Sequence, residues 1–260
     1  MKRAVIIPAR YQSVRFPGKP LTPLRGQSGA AKPLVQRTWD CARQFCDAHE
    51  IFVATDDLRI AKAVRGFGGQ ALMTPASCSN GTERCAAAVE QLPHLPEIII
   101  NLQGDAPLTP HWFLADLEAA MQANPAAQMA TPVLRCDAQT YGLLRADRVA
   151  GRVGGTTAVF GADGQALYFS KEVLPFLPDG PLPVPCPVFH HVGVYAYRPD
   201  ALAAYARWPL GRLESLEGLE QLRFLENGVA VHCVEVNARG RLFWELNNPS
   251  DVARIESVLP

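Results

Sequence analysis

The chain has 260 residues, 48% hydrophobic and 19% charged, a balance that builds a buried core and excludes a disordered segment. Its 25 basic and 25 acidic residues cancel, so no overall field favours nucleic acid or an anionic membrane, and any anion must be held by local cations. No apolar run approaches the roughly 20 residues of a membrane-spanning helix and the N-terminus runs into a strand rather than a signal peptide, so a cytoplasmic protein is expected.

Residues 4–7 form a short, continuous, β-branched run that Pro8 ends, the pattern of a strand buried on both faces. Arg10, Arg15 and Lys19 follow, set among Pro17, Gly18 and Pro20. Ligands of open α/β sheets lie beyond the carboxyl ends of strands, so these cations are placed for a nucleotide triphosphate; the alternative is a solvated basic loop. Residues 33–46 carry Leu34, Val35, Trp39 and Phe45 near helical spacing, and 51–54 read as a second buried strand. A helix over 58–64 is expected, capped by Asp56 or Asp57 and stopped by Gly66, Gly68 and Gly69. A further helix spans 82–92, with Gly81 in a tight turn and Thr82 as its cap, and 97–102 is a third strand. Strands alternating with helices imply right-handed crossovers, a mostly parallel sheet and a Rossmann-like α/β fold.

Asp105 follows that third strand through Gln103-Gly104, which puts a carboxylate at the same edge of the sheet as the basic loop. Mg2+ takes one or two carboxylates together with phosphate oxygens and water, so Asp105 is a candidate ligand; its alternative is a turn cap before Pro107. Residues 129–199 change texture, with glycines among short alternating pieces at 156–160 and 191–197 and a proline-rich stretch at 175–187. They are expected to form an inserted antiparallel lobe within one domain spanning 1–260, whose core comprises about 1–128 and 200–260. Leu213, Leu216, Leu219, Leu222 and Leu225 predict one amphipathic helix ending near Asn227-Gly228, with Glu217, Glu220 and Gln221 off its apolar stripe. Seven cysteines form no CxxC pair, so reduced thiols are expected rather than a zinc site or disulfides. Neither GxGxxG after the first strand nor GxxxxGK[ST] is present, which argues against a nicotinamide oxidoreductase and a P-loop ATPase.

The stretch from Ile7-Pro8-Ala9-Arg10-Tyr11 to Gly18-Lys19-Pro20-Leu21 resembles the opening of the 3-deoxy-manno-octulosonate (Kdo) cytidylyltransferases. The likeness continues in order through Val53-Ala54-Thr55-Asp56, Asn80-Gly81-Thr82-Glu83-Arg84, Asn101-Leu102-Gln103-Gly104-Asp105, Ala166-Leu167-Tyr168-Phe169-Ser170, His191-Val192-Gly193-Val194-Tyr195 and Leu219-Glu220-Gln221-Leu222-Arg223. The resemblance implies a nucleotide-diphospho-sugar transferase fold and transfer of CMP from CTP to the anomeric hydroxyl of an acidic sugar, with pyrophosphate leaving, for lipopolysaccharide or capsule synthesis. It implies Arg10, Lys19 and Asp105 as catalytic residues, and Pro8, Ala9, Ser13, Arg15, Thr55, Ser79, Gly81, Arg84 and Gln103 around the nucleotide. Arg15 is open to a structural ion pair, and Glu83 and Arg84 to an exposed pair in a helix's first turn. Tyr195, His191, Glu220, Gln221 and Lys171 would face the sugar, against the plainer readings of strand packing and a solvated helix face. Mg2+ is the implied cofactor, the implied assembly is a homodimer contacting through the lobe, and no nucleic acid or membrane partner is expected.

Two departures from the family pattern stand out. Where the family reads Val-Asp-Thr-Pro-Glu-Asp, this chain reads Leu246-Asn247-Asn248-Pro249-Ser250-Asp251, so a neutral Asn247 replaces a metal-binding aspartate. Glu245 is two residues earlier, on the same face if the segment is extended, and is a candidate for the missing carboxylate. Lys171 stands where the family's Tyr-Phe-Ser-Arg has arginine, and the two cations are not equivalent toward a carboxylate. Alternatives are therefore another acid, such as amino-Kdo, a sialic-type acid or a small phosphonate, or a nucleotide-binding homologue impaired in turnover.

Overall fold

The computed structural model describes residues 2–12, 16–27, 29–152, 155–241, 243–246 and 248–259. β1 (Arg3–Pro8) is the buried strand the sequence predicts, and a small hairpin of β2 (Pro23–Arg25) and β3 (Ala31–Pro33) leads into α1 (Leu34–Arg43). β4 (Ile51–Thr55), α2 (Leu58–Gly66), β5 (Gln70–Met73), α3 (Gly81–Val89), β6 (Ile98–Leu102) and α4 (His111–Ala123) complete the first half. Here β1 lies between β4 and β6, with β5 outside β4, all parallel. Asp57 caps α2 by accepting from Arg59 N at 2.8 Å, which decides between the two aspartates. The cap of α3 is Asn80, accepting from Glu83 N, and not Thr82, whose hydroxyl is buried against that of Tyr197 at 2.9 Å.

The second half comprises β7 (Met129–Arg135), α5 (Ala138–Val149), β8 (Thr157–Phe160), β9 (Ala166–Ser170), β10 (Phe189–His191) and β11 (Val194–Tyr197). Then come α6 (Pro199–Tyr205), α7 (Arg212–Glu217), α8 (Leu222–Glu226), β12 (Val231–Glu235) and α9 (Asp251–Glu256). Among the described residues ten of the strands join one sheet ordered β5-β4-β1-β6-β11-β7-β10-β8-β9, with β12 parallel on β7, apart from the β2 to β3 hairpin. The fold is thus mixed α/β, parallel around β1 and antiparallel beyond β6. Both faces are covered. Val5, Ile7, Val53 and Ile100 meet Val35, Ile60 and Phe113 on one side, while Ile6, Ala54 and Ile99 meet Cys85, Tyr197 and Phe224 on the other.

Two expected elements are divided. The strand over 191–197 breaks at Val192 and Gly193, where Val194 N donates to Val192 O at 2.7 Å and the hydroxyl of buried Thr131 of β7 donates to Val194 O at 2.8 Å. Before the break β10 pairs with β8; after it β11 pairs with β6, so the sheet forks there. The leucine-rich helix is two short helices. Gly218 ends α7 in the left-handed region at φ +62°, a conformation that glycine adopts without strain. The stripe breaks with it: Leu213, Leu219, Leu222 and Leu225 pack inward, whereas Leu216 is 74% exposed.

Candidate active site

A cavity of about 920 Å3 opens at this fork, walled by the carboxyl ends of β1 and β6, the start of α3, the ends of β9 and β10, and the α7 to α8 turn. From the nucleotide set, Pro8, Ala9, Arg10 and Lys19 line it after β1, Ser79, Gly81 and Arg84 around the start of α3, and Gln103 after β6. Lys171, His191, Tyr195, Glu220 and Gln221 line the opposite wall, and Asp105 and Glu245 close one end. Thr55 does not reach the cavity: it is wholly buried, and its hydroxyl accepts from Asp57 N, so it shapes the turn into α2. Ser13, Arg15 and Asn247 lie outside the described residues.

The contact that organises the site joins the two ends the sequence places together: Lys19 Nζ donates to Asp105 Oδ2 at 2.6 Å. Parallel pairing of β1 with β6 brings both loops to one edge. Gly104 makes the approach possible, since a Cβ there would lie 2.6 Å from the carbonyl oxygen of Pro8. Leu246 N donates to Asp105 O at 2.8 Å, which ties the Glu245 segment to the same loop. Gly193, at the strand break, leaves room for that glutamate: a Cβ there would sit 2.8 Å from Glu245 Oε1.

Arg84 is no exposed surface pair. It is 2% exposed, donates to Thr74 Oγ1 at 2.7 Å and pairs with Asp56 at 3.4 Å, while Glu83 pairs with Arg223. Glu220 receives Thr82 N and Gln103 Nε2, each at 2.9 Å, and so bridges the two walls of the cavity. Burial raises its pKa above the usual carboxylate range. Gln221 is 1% exposed and accepts from the Tyr195 hydroxyl at 3.2 Å, which overturns the solvated-face alternative. His191 is buried against Phe169 with Nε2 3.0 Å from Thr131 Oγ1, and burial pushes its pKa down to about 3. His190, beside it, is pushed to about 4 by the same cause, so both rings are neutral near pH 7.

Sequence reasoning missed His190, Asn80, Glu214 and Gly193 as lining residues. Asn80 and Gly193 lie within quoted motifs, but only the strand break and the helix cap give them their positions. Glu214 is held by Arg223 at 2.5 and 2.8 Å, a pairing across separate helices that no local pattern announces.

A family model described as cytidylyltransferase matches residues 4–232. A 3-deoxy-manno-octulosonate cytidylyltransferase of Maricaulis maris is 41% identical, covering 100% of this chain and 97% of its own length. The chain belongs to this cytidylyltransferase family. It is accordingly a nucleotidyltransferase. A relative from Arabidopsis thaliana, described as mitochondrial, is 36% identical over 98% of this chain and 82% of its own. The solved structure of a CMP:2-keto-3-deoxy-manno-octonic acid synthetase complexed with CTP superposes with TM-score 0.82 at 31% identity, covering 98% of this chain and 97% of that one. Among the described residues no helix is long and apolar enough to cross a membrane.

Proposed function

We propose that this chain transfers CMP from CTP to the anomeric hydroxyl of Kdo, giving CMP-Kdo and pyrophosphate for a bacterial surface polysaccharide. The observation that carries the reading is the Lys19 to Asp105 contact inside a cavity with room for a nucleotide and a sugar acid together. The likeness to relatives described as Kdo cytidylyltransferases supports the choice of substrates.

In this reading the sugar hydroxyl attacks the α-phosphorus while the bond to the β-phosphate breaks. Negative charge grows on the leaving oxygens, and Arg10 and Lys19, both lining the cavity and Lys19 held there by Asp105, lower the barrier by facing it. Arg84 holds the start of α3 in place through Thr74 and Asp56, where Ser79 and Gly81 face the base. Glu220 keeps Gln103 and the α3 backbone in register with the acceptor wall.

The donor set fits Mg2+. Asp105 and Glu245 supply hard carboxylate oxygens to one cavity, Asp105 already attracts a cation in Lys19, and phosphate oxygens and water would complete the shell. When bound, the ion supplies charge neutralisation on the phosphates and acidifies the attacking hydroxyl. Exposed Val149, Phe176 and Val184 support a homodimer contact through the lobe at about 129–199.

The test is to incubate the protein with CTP, Kdo and Mg2+ and measure pyrophosphate and CMP-Kdo. Turnover is expected with CTP and much less with UTP. No pyrophosphate with Kdo, amino-Kdo or a sialic-type acid overturns the reading.

A further inference from the structure

The geometry points to Arg59 as a positioning residue: from α2, outside the cavity, it acts through the ring of Tyr11 to hold the loop that aims Lys19. The inference rests on the reading that Lys19 faces the phosphates of CTP.

The stretch after β1 puts Pro8, Ala9, Arg10, Lys19 and Pro20 on the cavity, but Tyr11, in the middle of the same motif, does not line it. Its ring lies instead under the guanidinium of Arg59, whose central carbon is 3.4 Å from the ring centroid. Arg59 stands in the first turn of α2 and is itself fixed. Asp57 accepts its Nε at 2.9 Å and its Nη2 at 2.6 Å, and as the cap of the helix it accepts the backbone N of the same residue at 2.8 Å. A planar cation gripped at two points by a carboxylate presents one flat face, and an aromatic ring stacks on such a face.

The same ring meets the turn that directs Lys19. Gly18 N donates to Tyr11 O at 2.9 Å and closes the loop, and a Cβ on Gly18 would lie 3.2 Å from both Cζ and Oη of the tyrosine. The phenol therefore occupies the space that a side chain would need, and Gly18 takes φ +72° to start the short turn Lys19–Leu21. Lys19 follows directly and reaches Asp105 at 2.6 Å. Contacts thus run without a gap from Asp57 through Arg59, Tyr11, Gly18 and Lys19 to Asp105. Ala9 N, donating to Ala54 O at 2.8 Å, ties the start of the loop to β4, the strand that leads into α2. Tyr11 also packs on the core, whereas the Arg59 side chain is 60% exposed and can be changed without opening it. An exposed ion pair adds little to folding, which leaves the shape of the loop as what this contact governs.

The experiment is steady-state pyrophosphate release with CTP, Kdo and Mg2+, run as a double-mutant cycle against Lys19→Met. Arg59→Met is expected to lower kcat about threefold to thirtyfold, the scale of one lost cation–π contact, with KM for Kdo within about twofold and the melting temperature close to wild type. Asp57→Asn, which can still cap α2, gives a smaller loss in the same direction. Tyr11→Leu loses at least as much as Arg59→Met, and Tyr11→Phe restores it. In the Lys19→Met background, Arg59→Met changes kcat by less than about twofold, because the group it positions is gone; a contact that served only folding would act equally in both backgrounds. An unchanged kcat in Arg59→Met, or the same fold loss with and without Lys19, overturns the inference and leaves the proposed function standing. Absence of turnover in the wild type overturns the proposed function, and this inference with it.

Discussion

In the parallel half of the sheet, β1 and β6 deliver Arg10, Lys19 and Asp105 through loops beyond their carboxyl ends, whereas in the antiparallel half His191 and Tyr195 project from strands, Lys171 follows β9 and Glu220 lies between two short helices. The first arrangement depends on backbone position: one glycine lets the loop after β6 pass against Pro8, and an ion pair then follows. The second depends on side-chain packing, because His191 and Tyr195 are also part of the core. Chemistry and stability are thus separable on the nucleotide side and entangled on the acceptor side.

The sharpest way to break that contrast is Asp105→Asn. The side chain is partly exposed and pairs with Lys19, so kcat is expected to fall by about 10^3-fold, the scale of losing one preorganised electrostatic group, with the melting temperature nearly unchanged. Steady-state kinetics and thermal unfolding check both halves of this statement. A loss below about tenfold would place the chemistry elsewhere.

Gly104→Ala tests the backbone side of the comparison. The new Cβ would meet the main-chain oxygen of Pro8 at 2.6 Å, and Pro8 is held in its strand by pairing with Ala54, so backbone has to shift. Overpacking of this kind costs about 1–3 kcal/mol, read as a lower urea midpoint, and activity should fall with it because Asp105 moves. Stability equal to wild type would show that the loop has slack.

The parallel half was largely legible because its signals are local. Buried strands at 4–7, 51–54 and 97–102 show as β-branched runs, and the basic loop and Asp105 each follow one of them. The acceptor side was less legible because its geometry comes from interruptions. Gly193 and Gly218 sit inside periodic patterns that predict an unbroken strand and helix, and only packing by Thr131 and the left-handed turn reveal the breaks. Leucines spaced by three continued to look like one stripe although Leu216 points to solvent. Thr55 failed for a related reason: its motif marks the end of β4, but its side chain turns inward to Asp57 N.

The last effect is absent at neutral pH and emerges on acidification. His190 and His191 are held near pKa 4 and 3 by burial, against about 6.5 in an unfolded chain. Between those limits the unfolded state binds protons that the native state does not, so stability is full above about pH 6.5 and declines as the pH falls. The slope approaches about 1.4 kcal/mol per pH unit for each histidine. Urea midpoints at pH 7 and pH 5 measure it, and His190→Asn with His191→Gln should flatten the decline while Gln keeps a donor for Thr131. An equal decline in the double variant would assign the acid sensitivity to groups other than these two histidines, and the two halves would then differ less than their packing implies.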